Sequence, residues 1–99
     1  MGIYIEIKKI KTEDYLHYYQ VIPHDFKEVM PFTICIDSKN NFLHFLKANN
    51  EVEKTTINLQ NYYDANIDWL PMGLVAKILA RVIDAVKQQV FPDYISHCS

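Results

Sequence analysis

The last nine residues, Phe91 to Ser99, read FPDYISHCS and set His97 beside Cys98. A thiol becomes a nucleophile when a nearby base or positive charge lowers its pKa, so the pair raises the question of covalent catalysis. In an extended segment, however, neighbouring side chains point in opposite directions, which keeps the imidazole away from the sulfur. The segment is therefore expected to be a tail, either solvated or strapped along the domain by Phe91 and Tyr94 as aromatic anchors.

Metal chemistry is the next use of such residues. The chain has four histidines and two cysteines, but no CxxC, HxxxH or HExxH groups them at the spacing that zinc sites use. His17 and His44 fall in expected strands and can meet across a sheet, although two polar positions on an outer face explain them more simply. Cys35, between Ile34 and Ile36, reads as a small apolar residue. Phosphate-binding loops and serine elbows need glycines at set positions, and Gly2 and Gly73 are the only two. The carboxylate pairs Glu13–Asp14 and Asp64–Asp68 would serve acid/base chemistry only inside a pocket that perturbs one of them. No metal, cofactor or catalytic residue is expected, which points away from an enzyme.

Two aromatic stretches remain. In YLHYYQVI, alternation is expected to turn Leu16, Tyr18 and Ile22 toward the core and Tyr15, His17, Tyr19 and Val21 away from it, with Tyr4 joining the outward set. A two-layer fold with one helix leaves one sheet face uncovered, and a Tyr-rich face there suits burial against a protein or a second copy. The alternative is aromatic pairing across strands that only stabilises the sheet. In NYYDANIDWL, Tyr62, Tyr63 and Trp69 lie near Asp64 and Asp68, a composition favoured at interfaces. There the alternative is a buried connector whose aromatics plug the end of the core. Residues 12–30 and 51–70 each carry four acids against one lysine, net −3. If they share an edge, they form an acidic rim around tyrosines that fits a basic partner.

These residues must be positioned by a small fold. With 99 residues, 49% apolar and 22% charged, residues 1–99 are expected to form one globular domain. The formal charge of −2 lacks the basic excess that nucleic-acid phosphates attract, so no nucleic-acid partner is expected. Lys77, Arg81, Asp84 and Lys87 interrupt the longest apolar region, so no membrane span is expected. The charged start MGIYIEIKK does not resemble a secretory leader, and Glu6 stands where myristoylation wants Ser or Thr, so a cytoplasmic location is expected.

IYIEIK alternates as a half-buried strand, and Lys9–Ile10 breaks its phase, so the strand ends or bulges there. KTED reads as the turn into YLHYYQVI, and the Pro23–Pro31 stretch as a loop. FTICID, SKNN and FLHFLK form a hairpin, and TTINL supplies a fifth strand. From Pro71 to Val90 the apolar period becomes helical: Leu74, Val75, Ile78, Leu79, Val82, Ile83, Val86 and Val90 form one wide stripe, and Pro92 stops it. The pattern predicts an α+β fold, an antiparallel meander of four to five strands with one long C-terminal helix packed on one face.

The function expected from this reading is a non-enzymatic protein-binding module, such as an inhibitor or immunity-type protein, using Tyr15, Tyr19, Tyr62, Tyr63, Asp64, Asp68 and Trp69. The alternative is a small-molecule binder or small enzyme with a pocket between sheet and helix or at a homodimer interface, built on His17, His44 or Tyr19.

Overall fold

A computed structural model of the chain describes residues 4–46, 54–62 and 67–98. The elements run β1 (Tyr4–Glu13), β2 (Leu16–Ile22), β3 (Phe32–Asp37), β4 (Phe42–Leu46), β5 (Lys54–Asn58), α1 (Met72–Gln88) and β6 (Tyr94–Cys98). The strands form one antiparallel sheet in the order β5-β4-β3-β2-β1-β6, with α1 packed on one face. The expected α+β class and its meander are as the pattern indicated. The sixth strand is additional, and it is the C-terminal tail itself, paired with β1 from Tyr4↔Cys98 to Lys8↔Tyr94.

The core explains this arrangement. Ile5 and Ile7 of β1, Val21 of β2, Ile34 and Ile36 of β3, and Leu43 and Phe45 of β4 are all fully buried against Leu74, Ile78 and Val82 of α1. A 17-residue helix rises about 25 Å, close to the roughly 24 Å between the outer strands of a six-stranded sheet. It can therefore carry the chain from the β5 edge back to the β1 edge. Its end is set by Gln89, which adopts a left-handed conformation (φ 55°) and whose backbone N–H, with that of Val90, satisfies carbonyls of the last turn. The helix thus stops before Pro92 can act on it.

The irregularity at Lys9–Ile10 is a bulge. Register shifts between Lys9↔Tyr19 and Lys11↔Tyr18, and β1 continues to Glu13, so the turn lies at Asp14–Tyr15 and not at Lys11. Asp14 takes φ 55° there, a conformation that Asp tolerates better than most residues. The Pro23–Pro31 loop is a run of turns whose Phe26 and Val29 pack onto the core.

The phase of β2 is the reverse of the expected one. His17, Tyr19 and Val21 turn toward α1, because they pair with Ile36, Ile34 and Phe32, whose side chains build the core. Leu16, Tyr18 and Ile22 face the other way. A one-residue change of phase exchanges the faces of a whole strand, and aromatic or apolar residues occupy both faces here.

Tyr19 is the largest consequence. Fully buried, it donates its hydroxyl to the Pro92 carbonyl at 2.7 Å, and burial followed by the Asp93 charge pushes its pKa up to about 12. Tyr19→Phe removes that donor and leaves a partly buried carbonyl unsatisfied. The expected loss is about 1–2 kcal/mol of unfolding free energy, read as a lower denaturant midpoint at unchanged slope.

Candidate functional site

Three places on the fold gather functional side chains. The first lies on the α1 side, where the segment after the helix meets the bulge. Lys9 donates from its ammonium to the Phe91 carbonyl at 2.5 Å and lies 3.9 Å from the Asp93 carboxylate. The Lys9 backbone N–H donates to the Asp93 carbonyl at 2.8 Å. His17 stacks flat on Phe91, with ring centroids 3.9 Å apart and planes 9° apart. These groups, with Tyr19, fasten Phe91–Asp93 to the sheet, and a depression of about 140 Å³ between the end of α1 and Pro92 and Ile95 lies beside them.

The second lies on the opposite face, which no helix covers. Tyr18, Cys35, His44 and Thr56 are register partners across β2, β3, β4 and β5. Tyr18 hydrogen-bonds Cys35, and the His44 Nδ1 and Thr56 hydroxyl are 2.8 Å apart. Cys35 is buried, which withholds its thiol from solvent. Among the described residues no three His, Cys, Asp or Glu side chains come together to hold a metal. His44 on this face cannot meet His17 and Tyr19 on the other, so the three polar residues considered for a pocket are not brought together.

At the β1 end of this face lies a polar cluster that the sequence reading missed. The Glu6 carboxylate accepts from His24 Nε2 at 2.8 Å and lies 3.3 Å from the Lys8 ammonium. The Tyr4 ring stacks on His24 at 4.9 Å, its hydroxyl meets that of Tyr94 at 2.9 Å, and its backbone N–H donates to Asp25. The hydrogen bond from His24, followed by contacts with Lys8 and Tyr4, holds the Glu6 pKa below the ordinary carboxylate value. Alternation marks Tyr4, Glu6 and Lys8 as one face. Nothing in the sequence links them to His24 or Tyr94.

The third is a groove on the flank of α1 facing the β5 edge, with a volume of about 450 Å³, lined by Tyr62, Met72, Val75, Ala76, Leu79, Ala80 and Ile83. A neighbouring depression of about 390 Å³ shares Ile83 and runs on past Leu59 to Lys87. Tyr62 is 40% exposed and Met72 66%.

The expected site residues are scattered. Tyr62 is at the groove and exposed Asp68 lies four residues before Met72. Trp69 is half-buried, with its ring edge-on to Phe32 at 5.4 Å, so it plugs the core end more than it offers a surface. Tyr15 is exposed in the β1–β2 turn under the Lys39 ammonium. Tyr19 is buried and cannot face a partner. Tyr63, Asp64 and the side chains of His97 and Cys98 lie outside the described residues. The acidic rim is divided as well: Glu13 and Asp14 sit at one end of β2, Asp25 and Glu28 beyond the other.

The Glu6 cluster has a pH signature. A carboxylate whose folded pKa is lowered adds stability above its ordinary value of 4.5 and loses it as pH falls through the folded value. Glu6→Gln should therefore flatten the acid limb of unfolding midpoint against pH, while leaving its shape above that range unchanged. An acid limb identical to wild type would show that Glu6 carries none of it. Comparison with protein-family models, curated proteins and solved structures finds no match to this chain.

Proposed function

We propose that this protein is a non-enzymatic protein-binding module, of the inhibitor or immunity type, and that the α1 groove is its recognition surface. The observation that carries this reading is the surplus of apolar surface on α1. At about 100° per residue, the apolar positions from Leu74 round to Ala80 cover roughly two-thirds of the circumference, more than one sheet can cover. Leu74, Val75, Ile78, Leu79 and Val82 are buried, whereas Met72, Ala76 and Ala80 remain exposed and Ile83 half-exposed. Gly73, Lys77, Arg81, Asp84 and Gln88 occupy the narrow polar remainder, and Lys87, at the last turn, is the one charged residue inside the apolar arc.

The mouth is of the type that binds protein. Tyr is enriched among residues that dominate interfaces, and Met adapts to varied apolar partners. Ala76 and Ala80 let another chain approach closely. Exposed Asp68 adds negative charge near the Met72 end, and Asp25 and Glu28 lie at the same end of the sheet, which favours a partner with basic groups around an apolar anchor. A small ligand would also fit a volume of about 450 Å³. Such sites, however, use several convergent polar groups, and among the described residues the Tyr62 hydroxyl is the sole polar side-chain group in this lining.

The test compares what is retained from host lysate by the wild type, a groove variant (Tyr62→Ala with Met72→Glu) and a sheet-face variant (Leu16→Glu), each verified as folded by circular dichroism. Glu at position 72 suits the first turn of a helix, so loss of binding would not stem from a broken helix. A protein held by the wild type and the sheet-face variant but lost by the groove variant is the expected result. Retention by all three would exclude the groove, selective loss with Leu16→Glu would move recognition to the open sheet face, and no retained protein would overturn the binding-module reading.

A further inference from the structure

We propose that His17 is an acid-operated latch on β6: the neutral ring holds Phe91 in place, and the protonated ring releases Phe91–Asp93 and the strand that follows. β6 has a single strand neighbour, β1, and is joined to it by no turn. Its approach is fixed by the stack of Phe91 on His17, the Lys9 bonds to Phe91 and Asp93, and the Tyr19 bond to Pro92. Loss of the stack thus acts at the point where the strand is delivered to the sheet.

Two features of the site oppose a protonated ring. The His17 Nδ1 is buried and has no hydrogen-bond partner among the described residues. A neutral imidazole tolerates this with its proton on Nε2, but an imidazolium donates from both nitrogens, so protonation would bury a donor without an acceptor. The second feature is charge. β1 presents Lys9 and the uncharged Thr12, β2 presents the un-ionised Tyr19, and β3 pairs Ile36 with His17. The segment after α1 offers Asp93, whose carboxylate is almost wholly exposed and is 3.9 Å from the Lys9 ammonium. Among the described residues, α1 included, Lys9 is the charge that acts on His17, and it repels a second cation. Burial first and Lys9 second lower the ring's pKa from its ordinary 6.5, in opposition to the attraction that the face of Phe91 offers a cation.

The direction follows from linkage. Well above 6.5 the ring is neutral whether latched or released, and the latch holds fully. As pH falls below that value the released ring takes up a proton first, so the latched population declines until the lower, latched-state pKa is passed. Release would free the backbone edge of β1 that β6 now occupies.

Amide hydrogen exchange of the intact chain tests this, with residues 94–98 followed against β3 and each rate corrected for intrinsic pH dependence. From about pH 7.5 to about pH 5, protection of β6 should fall relative to β3, the direction set by the lowered pKa of the latched ring. His17→Phe keeps a flat ring that cannot take a proton and should abolish that fall; His17→Leu serves if the Phe variant does not fold. His24→Gln, which removes the histidine bound to Glu6 of β1, should leave it intact. The proposal is overturned if β6 protection is unchanged with pH in the wild type, if the His17 variants lose it as the wild type does, or if β3 and β6 lose protection together.

Discussion

Closure of the sheet depends on the capture of Phe91–Asp93 at the β1 bulge. The other strand pairs of this sheet join consecutive strands, but β6 must find a strand some 90 residues earlier, and the Lys9–Phe91 contact that guides it spans 82. Closing a loop of that size costs about 2 kcal/mol more than closing one of about ten residues. A hydrogen bond from a charged donor contributes about 1.5–3 kcal/mol and a neutral one about 1, so the Lys9–Phe91 and Tyr19–Pro92 bonds together offset that cost. The bulge makes this possible. The extra residue, Ile10, ends the strict pairing after Lys9 and leaves the Lys9 side chain on the helix side, beneath the returning chain.

The same arrangement decides which surfaces stay open. On the face away from α1, aromatic rings are covered by cations, with the Lys11 ammonium 4.8 Å from the centre of Tyr18 and that of Lys39 5.3 Å from Tyr15. Such contacts let an aromatic side chain face water at little cost. On α1, Lys77 and Arg81 belong to the polar arc, and Lys87 lines the depression at the far end of the groove. Exposed Tyr62 and Met72 line one apolar groove, where a protein partner would exclude water from a contiguous patch, whereas Ile10, Met30 and Val90 are exposed at separate places.

Much of this architecture was legible locally. IYIEIK and FTICID place their isoleucines on one face, SKNN turns β3 into β4, and the 3.6-residue period marks α1 within two residues of its ends. What failed was non-local. YLHYYQVI has large side chains in both phases, so only its pairing with Phe32, Ile34 and Ile36 could select Tyr19 for the core. YISHC has no turn leading from a neighbouring strand to mark it, because its partner is at the opposite end of the chain. The candidate site suffered similarly. Tyr62 could be recognised by its type and neighbours, but Met72, Ala76 and Ala80 looked like ordinary helix positions until the sheet had taken its share of α1. The Glu6–His24–Tyr4–Tyr94 cluster joins three separate segments and has no signature in any of them.

The two edges of the sheet consequently differ in what holds them. Central strands β3 and β4 contribute Phe32, Ile34, Ile36, Leu43 and Phe45 to the core, all almost wholly buried, and such strands open only with the whole fold. Among its described side chains, β6 adds Ile95 as a partly buried apolar contact, and backbone pairing and Lys9, His17, Tyr19 and Tyr4 hold the strand and its approach. Its attachment is therefore polar and partly titratable, whereas that of the core strands is apolar and insensitive to pH. The β5 edge faces the opposite situation, since the neighbouring flank of α1 is apolar and stays so at any pH. A partner seated in the groove would contact the edge farthest from the latch, so occupancy of one and release of the other need not interfere through shared residues.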